Sequence, residues 1–500
     1  MKLKRWLYLL HRWTGVALCL LFAMWFFSGV VMMYVGFPSL SQAERLVALP
    51  PLDADTITAG PRALLDRSSP EALQQLKLSS VAGRPAYVLQ NRDGQWQGMF
   101  ADNGEHIRNI TLGQALAAAE VYVRQRELHT PPTAEARLID MDQWSVSGSL
   151  HAHRPLYHIA LHDDVGTELY ISSVTGEVLR DTHRHERVWN WLGANLHWIY
   201  PVALRRHPTV WHWLIVGLSL AGLVSIITGT AVGILRLRLR KRYRGKDISP
   251  YRNTMKLHHL LGLAVLLPLC TYMFSGLMSM NPWGLFSDET SYRQQADHYR
   301  GIPSQTQFDD AEAIRKALRH QPDARELHWQ WFNGEVYTYT INDQQQRDVI
   351  DAAAGGNWAA ASQARLQHMM LGYSLIAAER LDRYDHYYYS HHERWRPLPV
   401  LRLRFDDPAQ SWFHIDLHTG ELLGRMTTKR RAQRWLYNGL HSLDFLFLIQ
   451  HRPRWDLLVI SLSIAGFLFS LTACLIGWRR LRPPPRRNRQ RQTRRHEARP

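Results

Sequence analysis

Four runs of the chain are apolar enough, and long enough, to cross a bilayer: roughly 7–34, 211–235, 257–280 and 455–478. No other feature limits the fold so strongly, because a segment in hydrocarbon satisfies its backbone only as a helix or a closed barrel. Two polar stretches of soluble character separate the runs. The expected architecture is an α+β membrane protein with transmembrane helices at 7–35, 209–236, 255–281 and 454–479. Extramembrane regions fall at 36–206 and 282–452, a basic loop at 237–254, and a basic, disordered tail at 480–500.

The first run, "LLHRWTGVALCLLFAMWFFSGVVMMY" after Lys2, Lys4 and Arg5, resembles a secretory signal at its start. It is too long for one, and no small-x-small cleavage site follows. The net charge of +17 raises the question of nucleic acid, but its placement answers otherwise. "MKLKR", "LRLRLRKRYRGK" and "WRRLRPPPRRNRQRQTRR" all flank spans. Lys and Arg mark cytoplasmic flanks, so both termini and the 237–254 loop are expected inside. Both large regions then face the periplasm of a Gram-negative inner membrane, with lipid rather than nucleic acid as the basic flanks' partner. The three cysteines, Cys19, Cys270 and Cys474, all lie in expected spans. The extramembrane regions therefore have no disulfides to form, and no Cys-x-x-Cys-His attaches a c-type haem.

The chain is also a duplication. "LHRWTG…FSGVVMM" recurs as "LHHLLG…FSGLMSM", so that His11 falls on His258, Gly15 on Gly262, and Ser28-Gly29 on Ser275-Gly276. In a second constant register Trp191 falls on Trp435, His197 on His441, His207 on His451, Trp211 on Trp455, Gly222 on Gly466 and Thr228 on Thr472. The same register carries "TGEVL" at Thr175 onto "TGELL" at Thr419. Each half reads span, outer region, span, and parallel halves imply a pseudo-two-fold axis along the membrane normal. Within the outer regions "TLGQALAAAEVYVRQREL" and "DDAEAIRKALRHQ" predict amphipathic helices. Turns at Arg-Asp-Gly, Phe-Asn-Gly and Thr-Gly-Glu predict hairpins, so small α+β modules, about two per region, are expected.

Paired histidines carry the chemistry. His11 and His258 lie near the cytoplasmic ends of the first and third spans, each with a glycine one turn on. Gly15 and Gly262 leave room for a flat group against the helix. Two such helices across an axis offer two imidazoles to one metal, which suits b-type haem. The competing reading is an interhelical hydrogen-bonder that duplication merely copied. Retention of His and Gly while Arg12 became His259 and Trp13 became Leu260 favours ligation, with His259 as fallback ligand or propionate partner. His197 and His441 form a second pair before the second and fourth spans. Pro201, Pro208 and Pro453 can break the helix there, letting the segment lie along or dip into the membrane surface. A second haem is expected on that pair, with His207 and His451 as a competing pair whose simpler role is interfacial. Unpaired His212 ranks low.

No dinucleotide fingerprint, P-loop or cysteine cluster accompanies these histidines. Electrons are expected from a membrane quinol or a separate cytoplasmic reductase. "HAHR" at His151–Arg154, "HRHER" at His183–Arg187 and "YDHYYYSHHERWR" at Tyr384–Arg396 add polar and aromatic clusters. Residue by residue, an interfacial belt explains them better than a binding site.

At "LHRWTG…FSG", the paired "LH" segments and the two "TGE" hairpins, the chain resembles the PepSY-associated transmembrane helix family. The resemblance implies haem b, two per chain, held by His11, His258, His197 and His441. It also implies reduction of a ferric siderophore, or another ferric chelate, to release Fe(II) in the periplasm. Where the family often has glycine after "LH", this chain has Trp198 and Ser442. The alternative is a non-enzymatic scaffold whose outer modules bind a periplasmic peptide or protein. Transport is disfavoured because the spans lack carboxylates and, Pro268 aside, obvious breaks.

Overall fold

The computed structural model describes residues 2–67, 72–128, 135–239, 243, 246–351, 357–390 and 395–482. Most of the expected tail lies outside them. Three helices are long and apolar enough to cross a membrane: Lys2–Met32, Pro208–Arg236 and Arg452–Leu481. The third expected span is not one straight helix. It forms Asn253–Ala264 and Leu266–Ser279, bent by 66°. Pro268 explains the site of the break, since a proline ring clashes with the carbonyl four residues earlier, which belongs to Ala264. The duplicated position in the first span is Leu21, and that helix runs through. One ground for disfavouring transport, the absence of a break, is thereby weakened.

Phe26, Ile226, Val265, Leu269 and Met273 form the core of the bundle, with Phe467 and Phe469 of the last helix against them. Close approach recurs at duplicated positions. Met273 fills the space beside Gly222 as Phe26 fills that beside Gly466, and a side chain on either glycine would overlap it. Pro208 and Pro453 sit in the first turns of their helices, where the missing N–H costs nothing. They start the spans rather than break them.

Three antiparallel sheets make up the outer regions. The first region gives β1 (Leu73–Val81), β2 (Arg84–Asn91), β3 (Trp96–Phe100), β4 (His106–Ile107), β5 (Glu135–Ile139), β6 (Leu156–Ala160), β7 (Glu168–Ser172) and β8 (Val178–Thr182). The second gives β9 (Glu326–Phe332), β10 (Glu335–Ile341), β11 (Arg347–Asp351), β12 (Leu375–Leu381), β13 (Val400–Phe405), β14 (Trp412–Asp416) and β15 (Leu422–Met426). β5 to β8 and β12 to β15 each form a four-stranded sheet inside one region. The remaining strands merge into one seven-stranded sheet in the order β11-β10-β9-β1-β2-β3-β4. β1 pairs with β9, Leu76 opposite Trp329 and Leu78 opposite Leu327. Separate modules in each region were expected; the structure fuses the two regions through this seam. The expected helices form at Leu112–Gln125, capped by Thr111 and Gln114, and at Ala311–His320, capped by Asp310.

A buried ion network crosses the seam. Lys77 Nζ donates to Glu177 at 2.6 Å and to Glu326 at 3.0 Å. Arg45 grips both oxygens of Glu326, at 2.5 and 2.7 Å. Burial alone would raise the Glu326 pKa, but the two cations hold it well below the usual carboxylate range. Removing one partner from such a network costs about 3–5 kcal/mol, because a buried charge is left uncompensated.

Candidate functional site

Two short segments carry the outer histidines to the ends of the spans. In the first half a helix ends at Leu192, Gly193 breaks it, and Ala194–His197 makes one further turn. In the second half the chain stays helical but loosens into a π-turn over Arg434–Gly439 just before His441. Such turns often mark functional sites. Indoles clamp both segments alike: Trp211 Nε1 donates to the Trp198 carbonyl at 2.9 Å, and Trp455 Nε1 to the Ser442 carbonyl at 2.7 Å. Trp25 Nε1 adds a bond to the His197 carbonyl at 2.8 Å.

These clamps bring His197 and His441 face to edge, with ring centroids 6.0 Å apart and planes at 71°. His197 Nδ1 lies 3.1 Å from the Ser28 hydroxyl, and His441 Nδ1 lies 3.0 Å from the Ser275 hydroxyl. Gly29 and Gly276, the next residues, let each ring approach its helix. Ser28 is four residues before the end of the first helix, so the ring dips roughly 6 Å below that end. Burial, then the neighbouring His441, pushes the His197 pKa down to about 3. Burial lowers His441 as well. Nδ1 of each ring is engaged by a serine hydroxyl.

This geometry fits a shared metal. Two imidazoles each about 2 Å from one ion put their centroids about 6 Å apart. A hydrogen bond at the second ring nitrogen is what metal-bound histidines normally have. Both residues are half-buried. Tyr437 and Tyr272 flank His441, at 5.6 and 5.9 Å between centroids. The Tyr272 hydroxyl is buried with no hydrogen-bond partner among the described residues. No group of three or more His, Cys, Asp or Glu side chains among the described residues is arranged to hold a metal ion. A two-imidazole set suits a metal whose other positions a macrocycle fills, and the donors and the orphaned hydroxyl fit haem.

The inner pair is held differently. His11 Nδ1 lies 3.1 Å from the Ser225 carbonyl, its ring packed on Gly229. His258 Nδ1 lies 2.9 Å from the Thr472 hydroxyl, and its ring stacks on Phe469 at 4.8 Å and 14°. Gly15 faces open space, as expected for a cradle, but the flat group against Gly262 is the Phe469 ring. The cradle is thus open on one side only.

The remaining histidines go elsewhere. His259 spends both ring nitrogens inside the protein, on Ser249 at 2.8 Å and the Gly233 carbonyl at 2.9 Å. His207 and His451 are the exposed N-caps of the second and fourth spans. In the polar clusters His153 and Tyr388 are buried, and the other described residues are half-buried or exposed. His153 is bonded to Ser172, Arg187 pairs with Glu168, and Tyr388 is fully buried with its hydroxyl on the Pro397 carbonyl. Residues 391–394 of the third cluster lie outside the described residues. The serines and Trp25 and Tyr272 were not assigned from sequence, although Ser28-Gly29 and its twin Ser275-Gly276 signalled them.

Among curated proteins the chain finds no match. The family model described as PepSY-associated TM region matches residues 8–371, which takes in the first three spans, the whole first outer region and half of the second. That match covers well over half of the sequence, and the chain belongs to the PepSY-associated TM region family.

Proposed function

We propose that this is a four-span, pseudo-two-fold haem b protein of a bacterial inner membrane. It carries electrons outward to a ferric siderophore or similar ferric chelate, leaving Fe(II) in the periplasm. The observation that carries the reading is the outer pair: two imidazoles with centroids 6.0 Å apart, each held by a duplicated serine. Haem would be held by His197 and His441 at one pair and by His11 and His258 at the other, and would supply one-electron chemistry there. The protein's own contribution is positional. Ser28 and Ser275 engage Nδ1 of each imidazole, and the indole clamps fix the segments. The basic flanks support placing both termini in the cytoplasm and the outer regions in the periplasm. The donor would be a quinol or a cytoplasmic reductase.

An absorption spectrum of the detergent-purified chain, oxidised and dithionite-reduced, with pyridine haemochrome quantification, tests this. Reduced b-type α-bands at about two haems per chain, reoxidised by a ferric chelate, are the expected result. A chain expressed with ample haem that shows no Soret band would refute it and leave the scaffold reading in front.

A further inference from the structure

The two copies differ most instructively on one face of the four-stranded sheets. In the first copy, Glu168 on β7 stands opposite Ala160 on β6, beside His158. It pairs with Arg187 at 3.1 Å and lies 3.0 Å from His158, whose Nδ1 accepts from Arg137 Nε at 3.2 Å. In the duplicated register of the second copy, Trp412 replaces Glu168, Arg404 replaces Ala160, Arg402 replaces His158, and Arg431 matches Arg187. The carboxylate at this position has gone and two guanidiniums have arrived, while Arg137, opposite His158 in the first copy, gives way to Glu379, opposite Arg402 in the second.

All three guanidiniums crowd the Trp412 ring, at 5.1 Å for Arg402, 4.4 Å for Arg404 and 4.2 Å for Arg431. Two carboxylates answer them: Asp385 at 2.6 Å from Arg402, and Glu379 at 2.8 Å from Arg404. Arg431 donates only to neutral oxygens, the Gln410 and Met426 carbonyls at 2.9 Å and the Thr428 hydroxyl at 3.0 Å. Among the described residues no carboxylate lies within ion-pair distance of it. Asp407, close enough to act on Arg431, is bonded to Ser411. Arg402 is 2% exposed and its Nε donates to His414 Nε2 at 2.9 Å, while among the described residues its Nη2, like Arg404 Nε, is buried without a partner. His414, opposite Arg402, is pushed down to about 3 by burial first and then by Arg402 and its fellow arginines. The cluster is nonetheless open to solvent, since Arg404 is 32% exposed.

We propose that Arg404 and Arg431, arrayed on the Trp412 ring and backed by the buried Arg402, form a binding site for a soluble polyanion whose oxygen donors are carboxylates or catecholates, as in a ferric chelate. Guanidiniums fork onto such oxygens and stack on an indole, which holds the cations apart and oriented. Tyr387 lies 5.1 Å from Trp412 and accepts from Trp435 Nε1 at 3.0 Å, and Trp435 belongs to the π-turn before His441. The site is thus two rings from the segment that carries an outer histidine. Its role as a substrate dock rests on the reductase reading, whereas anion binding itself does not.

Equilibrium dialysis of radiolabelled citrate, alone and as its ferric complex, against the full chain in neutral detergent tests the proposal. Saturable binding near one per chain is expected. Trp412→Glu restores the first copy's carboxylate and should weaken binding at least tenfold, as should Arg404→Gln with Arg431→Gln. Arg187→Gln in the first copy should leave binding unchanged. Haem content, measured on every sample, should not vary with these substitutions. Wild-type protein without saturable binding, or both second-copy variants binding as tightly as wild type, would overturn the proposal. So would complete displacement of citrate in nanodiscs containing phosphatidylglycerol, which would make a lipid headgroup the occupant. Citrate binding by a chain that carries no haem would uphold the anion site while removing the reductase reading.

Discussion

The outer and inner ends of the helical bundle use the same duplicated sequence to different effect. At the outer end both copies do the same thing. Ser28 holds His197 as Ser275 holds His441, and Trp211 clamps one segment as Trp455 clamps the other. At the inner end the copies have drifted. A backbone carbonyl of Ser225 holds His11, where the twin of Ser225 is Phe469, which stacks on His258. The third span is broken after Ala264, where the first runs straight. On the proposed reading the outer pair is arranged for a shared ligand, whereas at the inner pair the Phe469 ring occupies the Gly262 face. Preorganisation lowers the cost of binding, so the outer site should hold its metal group more tightly.

The largest effect that sharpens this contrast is removal of an outer ligand. His197→Ala should abolish one haem per chain and leave the other, halving the pyridine haemochrome, and His441→Ala should do the same. Loss of both haems from either variant would break the division into two sites. Next comes Ser28→Ala, alone or with Ser275→Ala. Losing the bond that orients an imidazole costs about 10–100-fold in affinity. Haem transfer to apomyoglobin should therefore quicken at the outer site only. Phe469→Ser copies the first half onto the second and opens the Gly262 face. The inner haem should then survive purification severalfold better, whereas unchanged occupancy would mean that the ring is no obstacle. Smallest is Pro268→Leu, which copies Leu21. Straightening the 66° bend should lengthen the distance between spin labels at positions 253 and 279, in a cysteine-free background, on the order of 6 Å.

Much of this plan was legible in the sequence, for identifiable reasons. Apolar length marks a span, and duplication marks which histidines belong together, so the pairs His197 with His441 and His11 with His258 could be named beforehand. The register of Ser28 with Ser275 was equally visible, but which side chain a serine meets depends on how far the Ala194–His197 turn dips, and that follows from a backbone break at Gly193. Pro268 was noticed without its consequence, because a proline in a span can be absorbed or can bend it according to packing. The seam between β1 and β9 was out of reach altogether. Alternating apolar residues such as Leu76 and Leu78 predict a strand but say nothing of a partner about 250 residues away. Position 412 shows the opposite case: the change from glutamate to tryptophan is plain in the duplicated register, yet only the placing of three guanidiniums around it gives it meaning.

The central claim is that His197 and His441 ligate one iron between them. Low-temperature electron paramagnetic resonance of the oxidised, detergent-purified protein tests it most directly. Two low-spin ferric signals of bis-imidazole type are expected. His197→Ala should convert one of them to a high-spin signal or remove it, and His11→Ala should act only on the other. A His197→Ala variant that keeps both low-spin signals would contradict the claim.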